Sequence, residues 1–222
     1  VAKLFVELCK NKILKVMFWD IVSNYYEFFE NFYNGKVNKE ICKKVAERIS
    51  PNDIVLECAC GTGMISIHIA AICKKLIATD FSDGMLSQSC KRCKNFGNVT
   101  IEKGNILQLN YPNDEFDKVV AANVIHLIEH PEIALNELLR VCKKGGEVII
   151  PTYLISDTWG VSKVFVWFIN RFTKTFIGEF NEKTYKQFFE NLGYVDISYE
   201  LIEGRMPCGI AIIKKQEIVR SS

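Results

Sequence analysis

VLECACGTGMISIHIA, residues 55–70, joins an apolar run to a glycine turn and then to a helical pattern. The run reaches Glu57, and the turn that follows contains Gly61 and Gly63. A strand, a glycine-rich turn and a helix start place backbone amides and the positive end of a helix beside a ligand, and glycine lets the main chain approach that ligand closely. The stretch therefore predicts a site for a nucleotide or a metal, or else a turn whose glycines serve packing alone.

Composition limits the class of protein. At 222 residues and 49% hydrophobic content, the chain is long and apolar enough for one domain with a substantial core. Its 28 basic and 26 acidic side chains give a net charge of +2, which argues against nucleic acid or an acidic partner. Nine cysteines without a recognisable secretion signal lead us to expect the reducing cytoplasm. The apolar tract 159–177 contains Lys163, Arg171 and Lys174, which argues against a membrane span.

After an N-terminal part with helical spacing, short β-branched runs alternate with helical stretches. Helices are predicted over about 62–74, 82–94 and 131–142, each after a strand. Strands separated by helices predict parallel βαβ units, so the fold class is α/β with a mostly parallel, doubly wound sheet. The last two runs, 194–203 and 208–215, are separated by too few residues for a helical crossover, so they are predicted to pair antiparallel at one edge.

Glu57 separates the candidate ligands. A carboxylate at the end of the first strand would repel the pyrophosphate of a dinucleotide by several kcal/mol at about 4 Å. Ser66 stands where the dinucleotide fingerprint has its third glycine, and the turn lacks the lysine of a triphosphate-binding loop. S-adenosylmethionine, by contrast, carries an ammonium and a sulfonium and no phosphate. Asp80, at the end of the second predicted strand, adds an acceptor pair for the two hydroxyls of a ribose.

Four ordered motifs carry a family resemblance: VLECACGTG, IATDFSDGML, GNILQLNYPNDEFDKVVAANVIHLI and ELLRVCKKGGEVII. Together they resemble the class I S-adenosylmethionine-dependent methyltransferases, most closely the small-molecule group that includes the ubiquinone and menaquinone methyltransferases. The resemblance implies a Rossmann-like, doubly wound, mostly parallel seven-stranded sheet with an antiparallel C-terminal edge hairpin and N-terminal lid helices. It also implies one domain over 1–222, with a lid (1–50), a cofactor-binding core (51–155) and an acceptor side (156–222).

The resemblance implies a role for each residue that matches a motif. Glu57 would bind the methionine ammonium of S-adenosylmethionine, directly or through water, and Asp80 would bind the ribose hydroxyls. His126 would border the methyl group, where it could deprotonate an acceptor, or it could be a polar residue at the start of a helix. The other positions would line the cofactor: Ala59, Gly61 and Gly63 along the methionine and ribose, Phe81 and Met85 on the adenine, Asn105 and Ile106 at its edge and face, Asn123 beside the methionine, and Tyr26 over the amino acid end.

Three residues depart from the family pattern. Ala59 stands where glycine is usual, Asn105 where aspartate is frequent, and Lys144 where proline commonly precedes the two glycines. None of these changes removes the implied site. The expected function is methyl transfer to a small, apolar or aromatic molecule, with S-adenosylhomocysteine as the product and no metal required. The acceptor and the oligomeric state are left open.

Alternative functions also remain open. A nucleic-acid methyltransferase is disfavoured because the fourth strand ends in AANVIHL, without the Asn-Pro-Pro-aromatic motif of adenine methylation, and because the charge is balanced. A protein methyltransferase and a non-catalytic S-adenosylmethionine-binding protein are the other candidates. Cys58, Cys60, Cys90 and Cys93 suggest a zinc site, but the second pair is predicted on a helix, so buried cysteine is the simpler interpretation.

The aromatic tract after the fifth predicted strand has two interpretations. Phe165, Phe168, Phe172 and Phe176 recur at helical spacing, which is typical of a helix face packed on the core. The alternative is an apolar acceptor pocket, or an interfacial surface in peripheral contact with a membrane.

Overall fold

The computed structural model of the chain describes residues 19, 20, 23, 34–155, 180–194 and 196–216. Two sequence predictions fall outside these residues: the contact of Tyr26 with the cofactor, and the phenylalanine stripe between residues 165 and 176. The division of the chain into lid, core and acceptor side remains a prediction.

Seven strands form one sheet: β1 (Ile54–Cys58), β2 (Lys75–Asp80), β3 (Val99–Lys103), β4 (Phe116–Ala121), β5 (Cys142–Tyr153), β6 (Ile197–Ile202) and β7 (Cys208–Lys214). Their order across the sheet is β3-β2-β1-β4-β5-β7-β6. The first five strands pair parallel with their neighbours, and β7 runs antiparallel to both β5 and β6. The predicted α/β class, with a mostly parallel sheet and an antiparallel C-terminal pair, is confirmed.

The C-terminal pair joins the sheet through its second strand. β7 lies between β5 and β6, paired along β5 from Glu147 opposite Lys214 to Tyr153 opposite Cys208. Six of the seven β7 residues are buried, as expected of a strand that is covered on both faces. β6 therefore forms the edge of the sheet, and only one of its six residues, Ile202, is buried.

The helices that cover the sheet include α1 (34–46), α2 (Ser66–Ala70), α3 (Asp83–Cys93), α4 (Pro131–Val141) and α5 (Glu182–Asn191). A short 3-10 turn, Ile125–Leu127, follows β4. None of the described helices has the length and apolarity needed to cross a bilayer. α3 and α4 agree with the predicted ranges, whereas α2 has only five residues. The helix begins later than predicted because Gly61 and Gly63 take left-handed φ angles of +55° and +80°, so the turn extends further along the chain. It also ends before the predicted position, at Ala70.

Apolar side chains fill both faces of the sheet. On one face, Leu56 of β1 belongs to a cluster with Leu135 and Leu138 of α4 and with residues of α5. On the other face, Val55 belongs to a cluster with Ile41 of α1 and residues of α2. Because alternate residues of a strand point to opposite faces, β1 contributes to both layers. The sheet is therefore doubly wound, as predicted.

A carboxylate anchors the end of α1 to the sheet. Glu147 of β5 accepts hydrogen bonds from Arg48 at 2.7 and 3.2 Å and from Lys118 of β4 at 2.7 Å. The side chains of Glu147 and Lys118 are only 16% and 17% exposed. Burial raises the pKa of Glu147, but the hydrogen bonds from Arg48 and Lys118 outweigh it, so the pKa lies below its usual value.

We predict that Glu147→Ala lowers the free energy of unfolding by about 2 kcal/mol, because two partly buried cations lose their shared acceptor. Urea denaturation at neutral pH measures this change. The control is Glu47→Ala, because Glu47 is 51% exposed and lies 3.8 Å from Lys43. That variant should change the unfolding free energy by less than about 0.5 kcal/mol. Equal effects of the two substitutions would contradict the anchoring role.

Candidate functional site

The candidate residues meet at one edge of the sheet. Glu57 lies near the end of β1, Asp80 ends β2, and Asn123 and His126 follow β4. β1 pairs in parallel with both β2 and β4, so the carboxyl ends of these strands lie side by side. The strand order reverses between β1 and β4, and such a reversal leaves a crevice at the carboxyl ends where ligands bind in α/β sheets.

The turn after β1 is held by backbone hydrogen bonds and by left-handed residues. The amide of Cys60 donates to the carbonyl of Thr79 at 2.9 Å. A Cβ on Gly63 would lie 2.7 Å from the Ser89 hydroxyl, so glycine is required there by close packing on α3. A Cβ on Gly61 would meet nothing within 4 Å, which leaves open space beside this part of the turn. Ala59 also has a positive φ, +55°, although it is not a glycine.

Glu57 is a buried acid, 2% exposed. Its Oε2 accepts a hydrogen bond from the Ser66 hydroxyl at 2.6 Å. Burial raises the pKa of Glu57 to about 8; the Ser66 hydrogen bond acts in the opposite direction, and the charge of Asp80 adds to the rise. At neutral pH the carboxyl group is therefore mostly protonated, and a cation placed beside it would favour the ionised form.

Asp80 is oriented by backbone amides. Its Oδ2 accepts from the amide of Gly61, and its Oδ1 accepts from the amide of Ser82, each at 2.9 Å. Burial raises the pKa of Asp80, and the hydrogen bonds from these amides moderate the rise. A carboxylate can accept more than two hydrogen bonds, so the group retains capacity for a donor from a ligand.

The residues expected around an adenine follow β2 and β3. Phe81 is 37% exposed, whereas Met85 is 3% exposed. The turn after β3 lies against the end of β2, because the amide of Gly104 donates to the carbonyl of Asp80 at 2.9 Å. In that turn the Oδ1 of Asn105 accepts from the amide of Leu107 at 3.1 Å.

Ile106, the remaining residue of this group, is partly buried and packs against the apolar cluster on the α4 face. The structure therefore brings the turns that carry these residues to the edge where Asp80 lies.

Asn123 and His126 take different places beyond β4. Asn123 has φ +52°, its amide donates to the carbonyl of Pro151 at 2.8 Å, and its Oδ1 accepts from the amide of Tyr153 at 3.1 Å. It thus ties the end of β4 to the end of β5. His126 is 5% exposed in the 3-10 turn, and burial lowers its pKa to about 4. The imidazole is therefore neutral at neutral pH.

Two polar residues of this site were not anticipated from the sequence. Ser66 gave a usable signal, because it replaces the third glycine of the dinucleotide fingerprint and its hydroxyl reaches Glu57. Asp20 gave none: its Oδ1 accepts from the Ser82 hydroxyl at 2.5 Å and from the Gly84 amide at 3.0 Å.

The cysteines of the described residues do not assemble into a metal centre. Cys58 belongs to the apolar cluster on one face of the sheet, and Cys60 to the cluster on the other. Within the described ranges, no group of three or more histidine, cysteine, aspartate or glutamate side chains could hold a metal ion.

Comparison with known proteins identifies relatives of one enzyme class. Residues 56–150 match a methyltransferase domain family. A phosphatidylethanolamine N-methyltransferase of Cereibacter sphaeroides is 29% identical over 144 residues, which cover 62% of this chain and 70% of that relative. A demethylmenaquinone methyltransferase of Clavibacter sepedonicus is 34% identical over 96 residues, which cover 43% of this chain and only 39% of that relative.

A solved structure extends the likeness to the fold. The phosphoethanolamine N-methyltransferase 2 of Haemonchus contortus, in complex with phosphomonomethylethanolamine and S-adenosylhomocysteine, superposes with a TM-score of 0.70. The sequence identity is 15%, and the match covers 89% of this chain and 58% of that chain. At this identity the likeness shows a shared fold.

We predict that the stability of Glu57→Gln relative to the unmodified chain, measured as the difference in unfolding free energy, increases with pH. The pKa of Glu57 is about 8 in the folded state, against an ordinary value of 4.5. Between these two pH values the folded state keeps a proton that the unfolded state has lost, so the stability of the unmodified chain falls as the pH rises from 4.5 to about 8. Glutamine keeps an acceptor for Ser66 and does not titrate. The difference in unfolding free energy should therefore grow from near zero at pH 4.5 to a few kcal/mol above pH 8.

Urea denaturation from pH 4.5 to 9 tests this prediction. His126 works in the opposite direction, because its lowered pKa reduces stability as the pH falls from 6.5 to about 4. That contribution is common to both proteins and cancels in the difference. A difference that is constant with pH would contradict the burial of an ionisable group at Glu57.

Proposed function

Because residues 56–150 form a methyltransferase domain of the class I S-adenosylmethionine-dependent type, we propose that this chain methylates a small, apolar or aromatic molecule. The observation that carries the proposal is the buried Glu57 carboxyl beside a turn with open space at Gly61. A buried acid with a raised pKa gains when a cation approaches, and it repels phosphate once ionised.

The residues present fit S-adenosylmethionine. We assign its ammonium to Glu57, directly or through water, and its ribose hydroxyls to the carboxylate of Asp80. The amides of Gly61 and Ser82 hold Asp80 in a fixed orientation, so little ordering is needed when the hydroxyls arrive. Phe81, which is 37% exposed, is available for stacking on the adenine.

The remaining assignments concern the edge of the adenine and the methionine. Asn105 and Ile106 are proposed at the adenine, and the backbone of Ala59 to Gly63 along the methionine. The side-chain oxygen of Asn123 already accepts from Tyr153, so its proposed role is to shape the methionine end of the crevice.

When bound, S-adenosylmethionine supplies an electrophilic methyl group that passes to the acceptor by in-line displacement, while the acceptor loses a proton. His126 is the candidate that takes this proton. Its pKa of about 4 makes it a weak base, since general-base catalysis is most effective when the pKa lies near the working pH. This favours an acceptor that needs little activation, such as a thiol, an amine or an activated carbon, over a simple hydroxyl.

Three observations support a small acceptor and a cytoplasmic location. The relatives named above act, by their names, on demethylmenaquinone and on phosphatidylethanolamine, both of which are small molecules with a large apolar part. The net charge of +2 offers little attraction for nucleic acid. The eight cysteines within the described part of the chain are all free, as expected in a reducing compartment.

We predict that Glu57→Ala and Asp80→Ala each weaken S-adenosylmethionine binding by about tenfold or more, which is about 1.4 kcal/mol. Calorimetric titration at pH 7 measures these affinities. Repeating it in two buffers of different ionisation enthalpy also gives the number of protons released when S-adenosylmethionine binds. Binding to the unmodified chain should release nearly one proton, because the ligand cation lowers the pKa of Glu57 from about 8. Glu57→Gln should abolish this release.

The matched control for that experiment is Asp83→Asn. Asp83 lies in the first turn of α3 and its side chain is 71% exposed, so both affinity and proton release should be retained. Circular dichroism establishes that each variant is folded. Unchanged affinity in both alanine variants would refute the cofactor assignment.

The function itself is tested by release of S-adenosylhomocysteine. We expect turnover with a member of a panel of quinols, phenols, thiols and ethanolamine lipids. With the acceptor that turns over, His126→Ala should slow catalysis by less than about tenfold, and the rate of the unmodified chain should show no step near pH 6.5. Turnover only with nucleic acid or protein would overturn the small-molecule proposal. Binding without turnover on any acceptor would indicate a non-catalytic binding protein.

A further inference from the structure

Asp20 connects the N-terminal part of the chain to the candidate cofactor site. Its Oδ1 accepts two hydrogen bonds at the start of α3, from the Ser82 hydroxyl at 2.5 Å and from the Gly84 amide at 3.0 Å. The Ser23 hydroxyl donates to the backbone carbonyl of Asp20 at 2.8 Å. The Ser82 hydrogen bond lowers the pKa of Asp20, so the carboxylate is ionised at neutral pH.

The backbone at Asp20 also packs directly on α3. A Cβ on Gly84 would lie 2.8 Å from the Cα of Asp20, 2.9 Å from its carbonyl oxygen and 2.9 Å from the Ser23 hydroxyl. Two of these three atoms belong to the backbone, so a side chain at Gly84 cannot be accommodated by a rotamer change. The contact between the two segments therefore requires glycine at this position.

Ser82 stands between two carboxylates. Its hydroxyl donates to Asp20, while its amide donates to Oδ1 of Asp80. The same hydroxyl accepts from the amide of Met85 at 3.2 Å, and Ser82 is fully buried. Ser82 therefore connects Asp20 to Asp80, the acid assigned to the ribose. A displacement of Asp20 would move Ser82, and with it Asp80 and the neighbouring Phe81.

We propose that Asp20 is a positioning residue for the cofactor: its two hydrogen bonds hold the turn Phe81–Ser82 in the shape in which Asp80 and Phe81 receive the ribose and the adenine. This inference rests on the proposed function. It goes beyond that function by assigning Asp20 a specific contact with the turn that carries Asp80 and Phe81.

The connection is reciprocal. If the contact at Asp20 strengthens cofactor binding, then cofactor binding must strengthen the contact at Asp20 by the same factor. Occupancy of the site and the contact of Asp20 with Ser82 and Gly84 are therefore linked, although Asp20 itself does not touch the cofactor.

The experiment compares Asp20→Ala, Asp20→Asn and Gly84→Ala. Both hydrogen bonds end on the same oxygen of Asp20, so asparagine can accept both while losing the charge, whereas alanine loses both. Alanine is a better helix former than glycine, so Gly84→Ala displaces Asp20 without weakening α3 itself. Gly97→Ala is the matched control, because a Cβ there would meet nothing within 4 Å.

The readouts are the dissociation constant for S-adenosylmethionine and the hydrogen exchange of the amides from Ser82 to Met85. We expect Asp20→Ala and Gly84→Ala to weaken binding by about tenfold, and Asp20→Asn to recover most of this loss. Cofactor should slow exchange of the Gly84 amide in the unmodified chain and in Asp20→Asn, but much less in Asp20→Ala. In turnover assays, the KM for S-adenosylmethionine should rise more than kcat falls.

The outcomes separate this inference from the proposed function. Normal affinity in Asp20→Ala and Gly84→Ala, with weak binding in Asp80→Ala, would overturn the role of Asp20 and leave the function intact. A loss in Asp20→Asn as large as in Asp20→Ala would also overturn it, since the hydrogen bonds would not be the cause. Absence of binding in the unmodified chain would instead refute the function. If Asp20→Ala does not fold, Gly84→Ala and Asp20→Asn still decide the question.

Discussion

Glu57 places a carboxyl group at the end of an interior strand, where water cannot solvate its charge, and the candidate site is arranged around that constraint. Burial raises the pKa of the group to about 8, and the hydrogen bond from Ser66 does not offset the loss of water. A group in this position is balanced between a neutral acid and an ionised partner for a cation. A positively charged ligand therefore gains more at this strand end than a neutral ligand does.

The turn after β1 relates this acid to its neighbour on β2. Left-handed residues at Ala59, Gly61 and Gly63 reverse the chain within a few positions, so that the Gly61 amide points back to Asp80. The carboxyl group of Glu57 is therefore buried away from water, whereas that of Asp80 accepts hydrogen bonds from backbone amides. The left-handed conformation of Ala59 costs about 1 kcal/mol of conformational energy, which the surrounding hydrogen bonds offset.

Local sequence patterns were sufficient for the elements and for much of the site, and insufficient for contacts between distant segments. Apolar runs, the glycine turn and acids at strand ends are each encoded by neighbouring residues, which is why β1, β2 and the places of Glu57 and Asp80 were predictable. The contact of Asp20 was not, because Ser82 and Gly84 are 62 and 64 residues away. The antiparallel pair at the C-terminal edge was predicted, but not which of its two strands would join β5, since strand order depends on pairing across the sheet and not on spacing along the chain.

The insertion of β7 between β5 and β6 has a consequence for biosynthesis. β6 is synthesised before β7, but within the described residues β6 pairs only with β7. Until residues 208–214 are made, the free side of β5 and the whole of β6 present unpaired backbone groups. Open strand edges are templates for pairing with other chains. A nascent chain that stalls before Cys208 is therefore vulnerable to aggregation, even though five parallel strands have already been synthesised.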